Sequence, residues 1–139
     1  MGKIILVALI VFGSIATGWC GNFRNNGDGT VTDVSTGLTW QQADVKRTWE
    51  AAINYCEELN HANRHGWRLP DINELMTIVD MTTSNPTIHP IAFPGTKASL
   101  YWSALTFESN DGNALVVDFG NGDIHSDEKI NPNYVRCVR

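Results

Sequence analysis

His65-Gly66-Trp67-Arg68-Leu69-Pro70-Asp71-Ile72-Asn73-Glu74-Leu75 decides how this chain is read. The stretch is expected to close one helix, lay down a short buried segment and open a second helix. Gly66 can adopt the left-handed backbone that ends a helix. Trp67 and Leu69 alternate with Arg68, as in a strand with one face on a core. Pro70 biases Leu69 towards an extended backbone. Asp71 then stands as an N-cap with Glu74 three residues on, the spacing of a capping box.

Upstream, Trp49, Ala52, Ile53, Cys56 and Leu59 form one apolar stripe at helical spacing. With Thr48 as cap and Glu50 near the positive end of the dipole, they predict a helix ending near Ala62. Downstream, Ile72, Leu75, Met76 and Val79 share one side of a second helix from Asp71 to about Asp80. Between Asn22 and Gln42 the pattern is β. Asn26-Gly27 and Asp28-Gly29 are tight-turn dipeptides, Thr30–Asp33 is a strand, and Leu38–Gln41 is another with Leu38 and Trp40 on one face. Met81 to Ser99 carries three prolines and no periodicity, a length of irregular chain that marks functional surface. Ile88, Ile91 and Phe93 make it too apolar for a linker. A final β region holds Leu100–Ser103, then Leu115–Phe119, then Ile124 and His125 beyond a two-residue turn at Asn121-Gly122, and lastly Tyr134–Arg139.

The N-terminus reads as a secretory leader over residues 1–18: Lys3, an apolar run from Ile4 to about Ile15, then small residues. The apolar run reaches only about 21 Å, too short to span a membrane, so residues 19–139 are expected outside the cytoplasm, secreted or at the cell envelope. Cys20 invites lipidation, but Trp19 stands where a small residue is wanted. With 42% apolar and 18% charged residues the chain is globular, with room for one domain. Removing Lys3 with the leader takes the formal charge from −5 to −6. That balance argues against nucleic acid and against a polyanion as partner.

Export permits disulfides. Cys20, Cys56 and Cys137 allow three pairings, each leaving one thiol over. Cys56 faces the core from the first helix and Cys137 lies on the last strand, so Cys56–Cys137 is the chosen pair, with Cys20 left in a flexible start. Two unpaired buried thiols are the alternative. A loop of about 80 residues closed this way is worth roughly 4 kcal/mol in the chain-entropy model.

Two groups have a partial metal-ligand look. Asn26 and Asp28 sit in a stretch like a calcium loop, but Arg24 and Ser35 occupy the places of its first and closing acidic ligands. A plain hairpin turn accounts for them. His61 and His65 are four apart and would share a helical face, without the intervening acid of a zinc-protease motif or an evident third ligand. No cofactor is therefore expected, calcium being the candidate if there is one.

Asn26-Gly27-Asp28-Gly29-Thr30-Val31-Thr32-Asp33, Thr36-Gly37-Leu38-Thr39-Trp40, Trp67-Arg68-Leu69-Pro70, Glu74-Leu75, Tyr101-Trp102-Ser103 and Tyr134-Val135-Arg136-Cys137-Val138-Arg139 occur in that order. Together they resemble the Lcl C-terminal domain family of bacterial collagen-like adhesins, a module related to the C-type-lectin-like fold. The resemblance implies an α+β class: two helices packed on a small twisted antiparallel sheet with a long irregular loop, meeting chain ends, and a helix-to-last-strand disulfide. It implies binding, not chemistry, with a surface glycan or protein as partner. The Glu-Pro-Asn and Trp-Asn-Asp signatures of calcium-dependent sugar binding are absent, and the acidic charge sits badly with the sulfated polysaccharides bound by relatives. Residues 106–133 also resemble the variable region of lectin-fold proteins diversified by retroelements. There Glu108, Asn110, Asp111, Asn113, Asp118, Asn121, Asp123, His125 and Asp127 are the candidate ligand-binding face. A structural subunit of a surface assembly, homo-oligomeric, is a further reading. The formylglycine-generating enzymes of the same fold are the catalytic rival. Their chemistry needs a reactive cysteine pair, and a structural Cys56–Cys137 bond leaves none.

Overall fold

The computed structural model describes residues 18–139, so all of the expected leader except Gly18 lies outside the described residues. Its strands are β1 (Trp19–Cys20), β2 (Phe23–Asn25), β3 (Thr30–Asp33), β4 (Leu38–Gln41), β5 (Val45–Arg47), β6 (Leu100–Thr106), β7 (Asn113–Asp118), β8 (Asp123–Glu128) and β9 (Asn133–Val135), and its helices α1 (Trp49–Glu58) and α2 (Ile72–Thr77). The α+β class holds, but there are two sheets, not one. A four-stranded meander runs β1-β2-β3-β4, and a five-stranded sheet has the order β5-β9-β6-β7-β8. That second sheet is mixed, because β9 lies parallel to β6 through Tyr101 and Tyr134.

Alternation along the central strands explains the layering. Tyr101, Val117 and Phe119 belong to one buried cluster; Trp102, Ala114, Val116 and Val135 belong to another. These strands thus have both faces covered at their centres, which is why Leu100–Trp102 and Ala114–Val117 are apolar at successive positions. The α1 stripe covers one face through Ala52, Cys56, Trp49 and Ile53. α2, Val31 and Trp40 cover the other together with Ile88, Ala92 and Phe93. Residues 81–99 are irregular as expected, but they act as a plug. Thr87 gives its amide to the Phe119 carbonyl at 2.7 Å, while Ile88 and Phe93 are buried and Met81 and Ile91 stand out, 70% and 66% exposed. Burial of Ile88, Ala92 and Phe93 accounts for the apolar content of this segment.

The pivot stretch does most of what was expected. Asp71 accepts the Glu74 amide at 2.8 Å and Glu74 accepts the Asp71 amide at 2.9 Å, both halves of the capping box. Arg68 forks onto Glu74 with bonds of 2.5 and 2.7 Å and holds its carboxyl below the usual range. Arg68 also exchanges both backbone bonds with Val138 at 2.9 Å. Other expectations fail. α1 ends at Glu58 rather than near Ala62, because Leu59 takes an extended backbone and bonds the Cys56 carbonyl; Ala62 and Asn63 follow with left-handed backbones in a turn closed by His61 and Arg64. Gly66, with φ +83°, lies beyond that turn and caps no helix. α2 stops at Thr77 because Ile78 and Val79 tighten onto the carbonyls three residues back. Thr48 occupies the N-cap of α1 without a side-chain bond. The β7–β8 turn has four residues, Phe119–Gly122, since Asp118 pairs with Asp123. Gly122 alone fits there: its φ is +83° and an added Cβ would lie 2.6 Å from the Met81 sulfur.

Arg136 is buried between aromatic rings, its guanidinium carbon 4.9 Å from the Phe93 centroid and 5.5 Å from that of Tyr101. It donates to the Gln42 carbonyl at 3.1 Å and to Thr96 Oγ1 at 3.0 Å, and it lies 3.6 Å from Asp44. Burial lowers its pKa, opposed by Tyr101 and Asp44. The Tyr101 hydroxyl, which donates to Asp44 at 2.6 Å, is pushed up by burial, pulled back by Arg136 and raised again by that bond.

Cys56 and Cys137 form a disulfide with Cα atoms 5.5 Å apart, closing a separation of 81 residues. Cys20 is free, yet not in a flexible start: it is half-buried in β1, opposite Phe23. Replacing Cys56 and Cys137 together by Ser is expected to cost about 2–5 kcal/mol in urea unfolding, whereas Cys20→Ser leaves the midpoint within experimental error.

Candidate functional site

The nine polar residues expected to form one binding face do not form one. Glu108, Asn110, Asp111 and Asn113 gather at the β6–β7 turn, and Asp118, Asn121 and Asp123 at the opposite end of the β7–β8 hairpin. Those ends are roughly 17 Å apart at the rise of a strand. Several side chains are occupied with their own turns. Asn110 accepts the Gly112 amide, Asp118 that of Gly120 at 2.7 Å, and Asn121 that of Asp123. Glu108, Asp111, Asp123 and His125 are exposed.

Asp127 has a defined task. Its two oxygens accept from Asn131 at 3.0 Å and from Asn133 at 2.7 Å, fixing the turn that follows β8. Burial pushes the carboxyl up, but the amides of Asn133 and Asn131 outweigh it and hold the group below its ordinary value. That turn presents Lys129 and Ile130. Lys129 Nζ lies 4.1 Å from the Trp49 ring centroid and donates to Thr106 Oγ1 at 2.9 Å. The Trp49 amide bonds the Lys129 carbonyl, and its indole N–H bonds the Ser103 carbonyl at 2.9 Å. Ile130 is 78% exposed.

Between the start of α1 and this turn runs an open groove of about 570 Å³, lined by Thr48, Trp49, Glu50, Lys129 and Ile130. Past Ile130 it meets a shallower depression bordered by Asn110, Gly112, Asn113 and Glu128. Two expected site residues, Asn110 and Asn113, thus lie beside it; the distal group does not. An aromatic ring, a fixed ammonium and an exposed aliphatic tip offer stacking, ionic and apolar contact together. Trp49 escaped notice because its position in the α1 stripe already explained it. Lys129 carries a signal that was readable, as the only cation between 106 and 133.

The weak metal candidates have other duties. Asp28 accepts the Thr30 amide and hydroxyl, and Asn26 donates to Thr30 and Thr32, all within the β2–β3 turn. His61 and His65 share no helical face, because α1 has already ended. The His61 ring instead lies 3.2 Å from the Gly29 carbonyl. Among the described residues no group of three His, Cys, Asp or Glu could hold a metal ion, and no helix is long and apolar enough to cross a membrane.

The geometry defines a small α+β module closed by a disulfide and carrying an open surface groove. The chain belongs to the Lcl C-terminal domain family, whose model matches residues 29–139. β1 and β2 precede that match. No curated protein matches the chain.

Because the Asp127 pKa is lowered on folding, its stabilisation is present above the ordinary value of 3.8 and lost as pH falls through the folded value. Asp127→Ala is therefore expected to cost about 1 kcal/mol at neutral pH, and the gap to the parent protein should close as urea titrations are taken below that pH.

Proposed function

We infer that this protein is an exported, non-catalytic binding module that attaches to a glycan or protein ligand at or beyond the cell surface. The observation that carries the reading is membership of the Lcl C-terminal domain family over residues 29–139, whose adhesin members the sequence motifs resemble. The disulfide from α1 to the C-terminal segment suits a lectin-like reading of the fold. The groove between Trp49 and Ile130 supplies a place for a ligand. Its exposed apolar tip beside a fixed cation is the kind of mixed surface that recognises partners. Engagement of Cys56 and Cys137 in a structural bond leaves Cys20 as a lone thiol and favours binding over thiol chemistry of the formylglycine-generating type, which needs a cysteine pair.

The test is an array of glycans and extracellular proteins probed with the purified protein, with and without calcium. A ligand should be captured in both conditions, and Ile130→Asp should reduce capture about tenfold, the weight of one lost anchor. Capture abolished by chelator would reinstate a calcium site. Thiol-dependent turnover with no capture would overturn the reading in favour of an enzyme.

A further inference from the structure

The five-stranded sheet ends on β8, and the direction of its backbone groups can be worked out. Lys129 gives its amide to the Gly112 carbonyl at 2.8 Å, so this residue bonds towards β7. Phe119 bonds the Ser99 carbonyl and Asn113 accepts from Phe107, so the odd-numbered residues of β7 bond towards β6 and the even-numbered ones towards β8. Alternation then turns His125 and Asp127 inward and Ile124, Ser126 and Glu128 outward. Of these outward groups, the Glu128 carbonyl receives Asn131 at 2.9 Å. The amides of Ile124, Ser126 and Glu128 and the carbonyls of Ile124 and Ser126 have no backbone partner among the described residues. They form a ladder open to another strand.

Charge decides what that strand is. Residues 106–133 hold six acidic side chains, Glu108, Asp111, Asp118, Asp123, Asp127 and Glu128, against Lys129 alone, a balance of −5. The whole chain also sums to −5, so its net charge resides in this hairpin and its flanks. A second copy pairing along β8 would set acid against acid, which is destabilising. A cationic strand meets the opposite situation. One face of β8 carries Asp123, His125 and Asp127 and the other Ile124, Ser126 and Glu128, with Ile124 47% exposed. A strand alternating basic and apolar residues would place its cations beside Asp123 and Asp127 and its apolar side chains beside Ile124.

We propose that the outer edge of β8 accepts an extended segment of a partner protein, in which Lys or Arg alternates with apolar residues, by strand addition. The backbone ladder gives the attachment, and the acidic hairpin selects the cationic strand and rejects a second copy of this chain. The edge meets the depression beside the Trp49–Ile130 groove only at Glu128 and does not depend on the groove's Trp49 and Lys129 lining.

The test titrates the purified protein with a fluorescent alternating Lys–Val heptapeptide. Controls are an alternating Glu–Val peptide and a backbone N-methylated Lys–Val peptide, which keeps the charge but cannot donate to the ladder. The Lys–Val peptide should bind and slow exchange of the Ile124 and Ser126 amides, and the Glu–Val peptide should not bind. N-methylation should weaken binding by about tenfold or more, the weight of a few net hydrogen bonds. Ile130→Asp should leave peptide binding unchanged, and Asp123→Asn should weaken it severalfold. Equal binding of the N-methylated peptide would reduce the effect to charge alone and overturn strand addition. Loss of binding in Ile130→Asp would move the peptide to the groove, and failure of every peptide to bind would also overturn the proposal. Apart from that move to the groove, none of these outcomes bears on whether the groove captures a glycan or protein.

Discussion

One seven-residue segment, Asn133–Arg139, bonds to every layer of the molecule. Val135 pairs with Val45 on β5, and Tyr134 pairs with Tyr101 on β6, their rings stacked 5.3 Å apart. The Cys137 carbonyl accepts the Gln41 amide at 3.0 Å, and Arg139 exchanges both backbone bonds with Thr39. Val138 does the same with Arg68, the residue that also clamps Glu74 at the start of α2. The disulfide adds α1 to the same segment. β4, Arg68 and α1 are thereby all joined to one short stretch of chain. Almost all the bonds are backbone bonds, so they fix register as well as proximity.

Arg136 lies in the middle of that segment and shows the cost of so tight a closure. Its side chain is carried into the interior by its position between Val135 and Cys137, both fully buried. A buried cation is tolerated only with compensation. Asp44, the Gln42 carbonyl, Thr96 and two aromatic faces supply it, although Nε and Nη1 have no protein partner. The loop over residues 81–99 acquires a reason here. It brings Phe93 and Thr96 to the guanidinium, and the Lys97 backbone N–H donates to the Tyr101 hydroxyl oxygen at 2.9 Å.

Much of this was legible in the sequence, where local chemistry and periodicity agreed. The Asp71–Glu74 box, the α1 stripe and the Cys56–Cys137 pair needed only spacing and helix phase. What escaped was set by distant partners. β5 is three residues long and exists because β9 pairs with it, which no local pattern in Val45-Lys46-Arg47 announces. The early end of α1 follows from the extended backbone of Leu59, a residue that helical spacing alone would have kept in the stripe. The polar face between 106 and 133 was read as one surface because alternation shows which side chains face solvent, not how far apart they are along a hairpin. Asn110, Asp118 and Asn121 close turns with their side chains, whereas the resemblance to a variable region made them look like ligand contacts.

The groove and the β8 edge both lie on ground that this closure makes rigid: Trp49 opens α1, and β8 continues the sheet that β9 joins. The account therefore rests on the C-terminal segment unfolding with the whole domain and not before it. Amide hydrogen exchange measured by NMR on the oxidised protein tests this most directly. The amides of Gln41, Arg68, Val138 and Arg139 should exchange together, in the slowest class, at the rate of global unfolding. Faster exchange at Val138 and Arg139 while the β6–β7 amides stay protected would contradict it, showing a tail laid on a domain already complete without it.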